Sequence, residues 1–264
     1  AWLDLDQVVT RKNQNFTGTL ALDYDILPDL KLTAQGSYVS NIQDYKDYVK
    51  DIQYNANKYH GPNSVDKRIY QWNRYNFDLL ANYDHTFGKH SIKGLLGYHI
   101  EKYNKDEVRA SRESFPTNDL TDIDAGAVAT QKNSGFTREL AMMSYFGRIN
   151  YDYAGKYLFE ANFRADASSR FSKSNRWGYF PSVSAWRISE ESFMEGTQDW
   201  LQSLKIRGSW GKLGNQDALD DFYPWMVTYS IGSKYPFGGI TNTGVTQTSQ
   251  KIESISWETT TNWG

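Results

Sequence analysis

From Phe16 onward the chain alternates. Phe16, Gly18, Leu20, Leu22, Tyr24 and Ile26 share one parity; Thr17, Thr19, Ala21, Asp23 and Asp25 share the other. A two-residue period belongs to a strand with one apolar and one wet face, and about 10 residues is the length that crosses a bilayer at a tilt near 45°. Leu27-Pro28-Asp29 predicts a tight turn, after which Leu30, Leu32, Ala34, Gly36 and Tyr38 resume the apolar parity. The hairpin recurs, with Tyr75, Phe77, Leu79, Ala81 and Tyr83, a turn at Phe87-Gly88-Lys89, then Ile92, Gly94, Leu96, Tyr98 and Ile100. It recurs again with Tyr145, Gly147, Ile149, Tyr151 and Tyr153, a turn at Ala154-Gly155-Lys156, then Tyr157, Phe159, Ala161, Phe163, Ala165 and Ala167.

Between the hairpins, residues 41–68 and 105–138 are polar and aperiodic and are expected to be long loops. Beyond Trp177, Tyr179, Pro181, Val183 and Ala185 the apolar parity flips to Trp186 and Ile188. A one-residue shift does that, through a bulge or a missing residue. Residues 190–203 predict a connection with helical character, Leu204, Ile206, Gly208 and Trp210 a strand, 213–250 a long loop, and Ile255, Trp257, Thr259, Thr261 and Trp263 a last strand. The period yields roughly nine strands with no linker between them. Soluble sandwiches have shorter strands and no systematic split between short and long connections. Outer-membrane barrels have that split, and an aromatic girdle where Tyr24, Tyr83, Tyr151, Tyr153 and Tyr157 flank the short turns. The fold class expected is therefore all-β, an antiparallel transmembrane β-barrel.

Composition narrows this further. The mean hydropathy of −0.69 is low, yet aromatics make up 16% of the 264 residues, with 19 Tyr and 9 Trp, so the apolar surface is carried by rings. No apolar run approaches the roughly 18 residues of a membrane-spanning helix. The 29 basic and 31 acidic residues are mixed along the chain, which leaves no basic footprint for nucleic acid. Without cysteine there are no disulfides, thiol nucleophiles or thiolate metal sites.

YAGKYLFEANFRADASSRFSKSNRWGYFPSVSAWRISEESFM (153–194) and WLQSLKIRGSWGKLGNQD (200–217) resemble the SusC/RagA-like TonB-dependent outer-membrane transporters of Bacteroidota. The resemblance is strongest over 145–217. It departs at Ala167, where the family usually has Gly, and between Ser184 and Trp186, where the family usually has one more residue. It implies a barrel of about 22 strands around an N-terminal plug, TonB-driven gating, a SusD-like surface lipoprotein as partner and a glycan or peptide as substrate. Localisation in the outer membrane of a Gram-negative bacterium, in contact with its lipid, is implied too. On this reading residues 1–264 are the central part of the barrel, with TonB engaged through an N-terminal region outside this sequence.

No nucleophile, phosphate-loop or metalloprotease spacing occurs, so no enzyme activity, cofactor or metal is expected. Asp119, Asp122 and Asp124, like Asp217, Asp220 and Asp221, lack the Gly and distal Glu of a calcium loop. Arg148, Asp152, Glu160, Arg164 and Asp166 share the polar parity of one hairpin and are candidates to face a barrel lumen, either as mutually compensating charges or as contacts to plug or solute. Tyr45, Tyr48, Trp225, Tyr229, Tyr235 and Phe237 are candidate loop residues for substrate or partner, since rings suit both sugar faces and protein interfaces. The competing reading is a soluble all-β carbohydrate-binding module, whose apolar face would be packed inside a two-sheet core.

Overall fold

The structure, a computed structural model, describes residues 7–189, 204–217 and 222–264. Its strands are β1 (Gln7–Leu27), β2 (Leu30–Val49), β3 (Ile52–Asn55), β4 (Lys58–His60), β5 (Ser64–Phe87), β6 (His90–Glu113), β7 (Lys132–Tyr153), β8 (Tyr157–Ser168), β9 (Trp177–Ser189), β10 (Leu204–Asn215), β11 (Tyr229–Phe237), β12 (Ile240–Gln247) and β13 (Glu258–Trp263). Nine of them form one sheet in the order β1-β2-β5-β6-β7-β8-β9-β10-β13; β3-β4 and β11-β12 are separate two-stranded sheets. Passing over those two hairpins, each strand of the large sheet pairs with the next strand of that sheet along the chain, an up-and-down order.

Contacts divide the chain into two compact units, one of Ala1–Leu20, Ser37–Asn76 and Lys102–Glu139, the other of Ala21–Gly36, Phe77–Glu101 and Leu140–Gly264. The second contains the three short turns, placed where the sequence predicts them. Tyr153 to Lys156 closes a four-residue turn, with Lys156 N–H donating to Tyr153 C=O at 3.0 Å and both Ala154 (φ 56) and Gly155 (φ 69) left-handed. This is the mirror-image turn whose twist matches antiparallel strands. Asp152 supports it by accepting from the Gly155 N–H at 2.6 Å.

In this unit the strand faces separate as the alternation requires. Tyr145↔Ala165, Gly147↔Phe163, Ile149↔Ala161 and Tyr151↔Phe159 lie on one face, Ser144↔Asp166, Phe146↔Arg164, Arg148↔Asn162 and Asn150↔Glu160 on the other. The apolar face is open: Leu96 is 70% and Phe163 50% exposed, and Leu79 and Phe159 are exposed too. Among the described residues no second sheet covers it, unlike the two-sheet core expected of the competing reading. The polar face instead holds a small packed cluster, in which Trp257 meets Phe171 and Phe180 at 5.3 Å each and donates its indole N–H to the Arg176 carbonyl at 2.9 Å. Trp257 therefore precedes β13 as a packing residue and is not part of the last strand. Phe146 lies on the same face over Gly97, where an added Cβ would come 2.2 Å from the ring; only glycine permits that approach.

The register between β8 and β9 runs without a bulge, through Phe163↔Pro181, Ala161↔Val183, Phe159↔Ala185, Leu158↔Trp186 and Tyr157↔Arg187. The parity flip after Ser184 is thus a direct exchange of faces: Trp186 joins the polar face and Arg187 the apolar one. Both are accommodated by cation–ring contacts, Arg187 over Tyr157 at 5.2 Å and Lys205 over Trp186 at 5.2 Å. Ala167, paired between Met143 and Trp177, is buried. The connection expected over 190–203 lies outside the described residues.

The first unit corrects the loop expectations. β2, β5 and β6 are 20, 24 and 24 residues long and β7 begins at Lys132, so most of 41–68 and both ends of 105–138 are strand. At ~3.3 Å per residue such strands exceed by twofold the 9–11 residues that cross a bilayer. A strand held by charge–ring and charge–charge pairs, such as Arg11 over Tyr45 and Arg109 with Asp66, needs no apolar parity, and the extension shows no period. Residues 114–131 fold back onto it. Asn63, 2% exposed, accepts from Phe115 N–H at 2.7 Å and donates to Phe115 C=O at 3.2 Å. Val65, Tyr48 and Phe115 form a buried cluster beneath.

Candidate functional site

Two surfaces carry the functional candidates. On the polar face of β7 and β8 the register brings Arg148, Asp152, Glu160, Arg164 and Asp166 to one side, and most of their charges are already answered. Arg164 Nε donates to both Asp166 oxygens at 2.7 and 2.9 Å, one of its terminal nitrogens donates to Ser144 Oγ at 2.9 Å, and its guanidinium stacks over Phe146 at 5.3 Å. Arg148 donates to Asn162 at 2.7 Å, and Asn162 in turn donates to Glu160 at 2.8 Å. Asp152 differs from the others because it belongs to the short turn. These groups largely engage one another across the face.

The aromatic candidates are dispersed. Tyr45 and Tyr48 sit on β2 instead of a loop. Tyr48 is 5% exposed and donates to the Asn118 carbonyl at 2.7 Å; burial, then the charges of Asp51 and Asp119, push its hydroxyl pKa up. It packs the extension and offers no open ring. Trp225 donates to the Ser169 carbonyl at 3.2 Å. Tyr229, Tyr235 and Phe237 stand on the β11–β12 hairpin inside the expected 213–250 loop. A register shift between Ile231 and Ser233 sends Tyr229 to one face of that hairpin and Tyr235 and Phe237 to the other, so the three make no common platform. Of the candidate calcium acids, Asp217 accepts from Arg170 at 3.0 Å and Asp124 from Arg112 at 3.4 Å. Asp220 and Asp221 lie outside the described residues.

The structure adds a surface that the sequence reading passed over. In the first unit, Arg11, Gln43, Tyr45, Arg68, Tyr70, Trp72, Tyr103 and Lys105 line an open recess of about 540 Å³. Arg11 and Arg68 both lie over the Tyr45 ring, at 5.3 and 5.6 Å. Burial pushes the Asp66 carboxyl up, but hydrogen bonds from Arg68 and Arg109 outweigh it and hold its pKa below the usual range. Hydrogen bonds to Asp66 and then to Tyr70 push the Arg68 pKa up. The signal was in the sequence: Arg68, Tyr70 and Trp72 recur every second residue, as do Tyr103 and Lys105. That period is cationic and aromatic, and a search for apolar alternation does not see it.

The short-turn end carries a run of rings. Tyr83, His85, Phe87 and His90 stack in sequence at 6.2, 5.8 and 5.5 Å, His90 meets Tyr153 at 4.9 Å, and Tyr153 meets Tyr157 at 6.3 Å. An up-and-down antiparallel sheet with an open apolar face, a polar face, tight turns and a ring girdle beside them defines the wall of an outer-membrane-type β-barrel.

The comparisons agree. No family model matches the chain. It is 32% identical over 258 residues to the TonB-dependent receptor SusC of Bacteroides thetaiotaomicron, a match covering 95% of this chain and 25% of that protein. It is also 34% identical over 181 residues to TonB-dependent receptor P3 of Formosa agariphila, covering 67% of this chain and 18% of that one. The RagAB peptide importer in its closed-closed state superposes with a TM-score of 0.87 at 20% identity, over 99% of this chain and 28% of that chain. By sequence and fold the chain is SusC/RagA-like, a stretch of TonB-dependent transporter barrel. It spans about a quarter or less of the length of these relatives.

Proposed function

We propose that residues 1–264 form the central part of the barrel of an outer-membrane importer that takes up oligosaccharides or peptides. A plug would gate it under TonB, and a SusD-like lipoprotein would present the substrate. The observation that carries this reading is the open apolar face of the nine-stranded sheet, backed by a charged face whose groups compensate one another: lipid outside, water inside, and no reaction chemistry between. Arg148, Glu160, Arg164 and Asp166 then line the lumen, and Asp152 fixes the turn below them. The exposed hairpin with Tyr229, Tyr235 and Phe237, apolar on both faces, suits contact with the lipoprotein.

The test is deletion of the full-length gene in its host, followed by growth on a panel of oligosaccharides and peptides as sole nutrient. Growth is expected to fail on one class, and to return with the intact gene but not with one lacking its TonB-coupling segment. Unimpaired growth on every class, or rescue without TonB coupling, overturns the proposal.

A further inference from the structure

We infer that the recess on β1, β2, β5 and β6 binds an anionic oligosaccharide of the uronate or sulfate-ester class, so that the cargo of this importer is acidic glycan. The inference deepens the import reading and rests on it. The lining holds three cations, four aromatic rings and one amide, and no carboxylate. Of the cations, only Arg68 is neutralised, by Asp66, which Arg109 shares. Arg11 and Lys105 meet only rings among the described residues, Tyr45 at 5.3 Å and Phe136 at 5.8 Å. The nearby carboxylate of Asp47 is occupied by Gln7 at 2.7 and 2.8 Å and by the Tyr45 hydroxyl at 3.4 Å. The lining carries three positive charges; Asp66 answers one, and the nearby Asp47, whose neutral donors leave its charge in place, offsets about one more, so the site is net positive by about one.

Tyr70 is hydrogen-bonded to Arg68, and the other three rings divide into two sets. Tyr45 is covered by Arg11 and Arg68, and Tyr103 by Arg74 at 5.6 Å, so these rings hold guanidinium planes in place. Trp72 is half-buried, and among the described residues nothing stacks on its indole or hydrogen-bonds to it. A flat ring in the same recess as Arg11 and Lys105 suits a pyranose, whose C–H face stacks on Trp72 while a ring carboxylate or sulfate meets one of the cations. An acidic peptide fits less well. Its backbone is commonly held along a free sheet edge, whereas β2, β5 and β6 are each paired on both sides and, of the strands lining the recess, β1 alone ends the sheet among the described residues. The volume lies within the roughly 300–1,000 Å³ of ligand sites, and its open side lets a chain pass along the wall.

Calorimetry on the full-length transporter with its lipoprotein, in detergent at low salt, tests this. The probes are an oligogalacturonate, a neutral glucan of equal length and an oligoglutamate. The oligogalacturonate should bind at least tenfold tighter than the glucan. Arg11→Gln and Lys105→Gln should each weaken it up to about fivefold, the effect of one exposed ion pair, and Trp72→Ala about five- to tenfold. Trp72→Phe and Arg11→Lys should restore most binding, which separates a lost contact from a misfolded wall. Equal binding of the glucan, a uronate preference that survives the Arg11→Gln/Lys105→Gln double variant, or oligoglutamate binding indifferent to Trp72→Ala overturns the inference. Growth distinguishes the two levels. Import of a neutral glycan untouched by these variants defeats only the acidic-glycan assignment, whereas a transporter whose deletion leaves all nutrient uptake intact defeats the import reading.

Discussion

A charge on the apolar face should cost stability according to depth. Phe163 stands on that face opposite Gly147 and Pro181, six residues along β8 from Tyr157, which closes the hairpin against Tyr153. Six residues at ~3.3 Å are about 20 Å of strand. At a tilt near 45° this is about 14 Å along the membrane normal, the middle of a hydrocarbon layer about 30 Å thick. Phe163→Arg should therefore destabilise the barrel by about 2–4 kcal/mol, and Tyr153→Arg, at the rim, by about 0–1 kcal/mol. Arg187 is a natural instance of the cheap case, since it shares this face beside Tyr157. The assay is urea unfolding of the full-length barrel in vesicles, followed by tryptophan fluorescence. The gap between the two variants should narrow in bilayers of shorter acyl chains, which bring headgroups closer to residue 163. Equal costs, or a gap indifferent to bilayer thickness, would refute the assignment of this face to lipid.

Three further outcomes follow from local geometry. Ala154 holds a left-handed φ of 56, so Ala154→Gly should stabilise the barrel by about 0.5–1 kcal/mol in the same unfolding assay. Gly97→Ala puts a Cβ into the Phe146 ring and should cost about 1–3 kcal/mol, most of it recovered when Phe146→Leu is added. Asp66 titrates below its ordinary range, so its contribution is present above the unfolded value of about 3.9 and lost as pH falls below that. Protease resistance of the 58–113 region should weaken below about pH 4, and Asp66→Asn should weaken it at pH 6 and abolish the acid step.

Sequence and structure agree best where lipid and water disagree most. Phe159 and Arg164 could be assigned opposite faces by parity alone, because an apolar solvent on one side and water on the other leave no freedom in register. The turns at Pro28-Asp29, Gly88-Lys89 and Ala154-Gly155 were equally legible, since each carries its own backbone demand. Along residues 41–68 this constraint disappears. Tyr45, Arg68 and Asp66 make a strand by pairing charge with ring and charge with charge across β2, β5 and β6, and no apolar period records that. Trp257 shows the reverse error: its parity fitted a last strand, but Phe171 and Phe180 offered it a drier place just ahead of one. The exchange at Trp186 and Arg187 was visible as a break in pattern, but its resolution depended on Tyr157 and Lys205, which no local reading brings together.

The uninterrupted pairing of β8 has a mechanical consequence. All twelve of its residues face partners on β7, and all but the last also face partners on β9. A pull along the strand direction loads these ladders in shear, so their hydrogen bonds must yield together and not one after another as in a peeling edge. A wall built this way stays rigid while something beside it is dragged along its length.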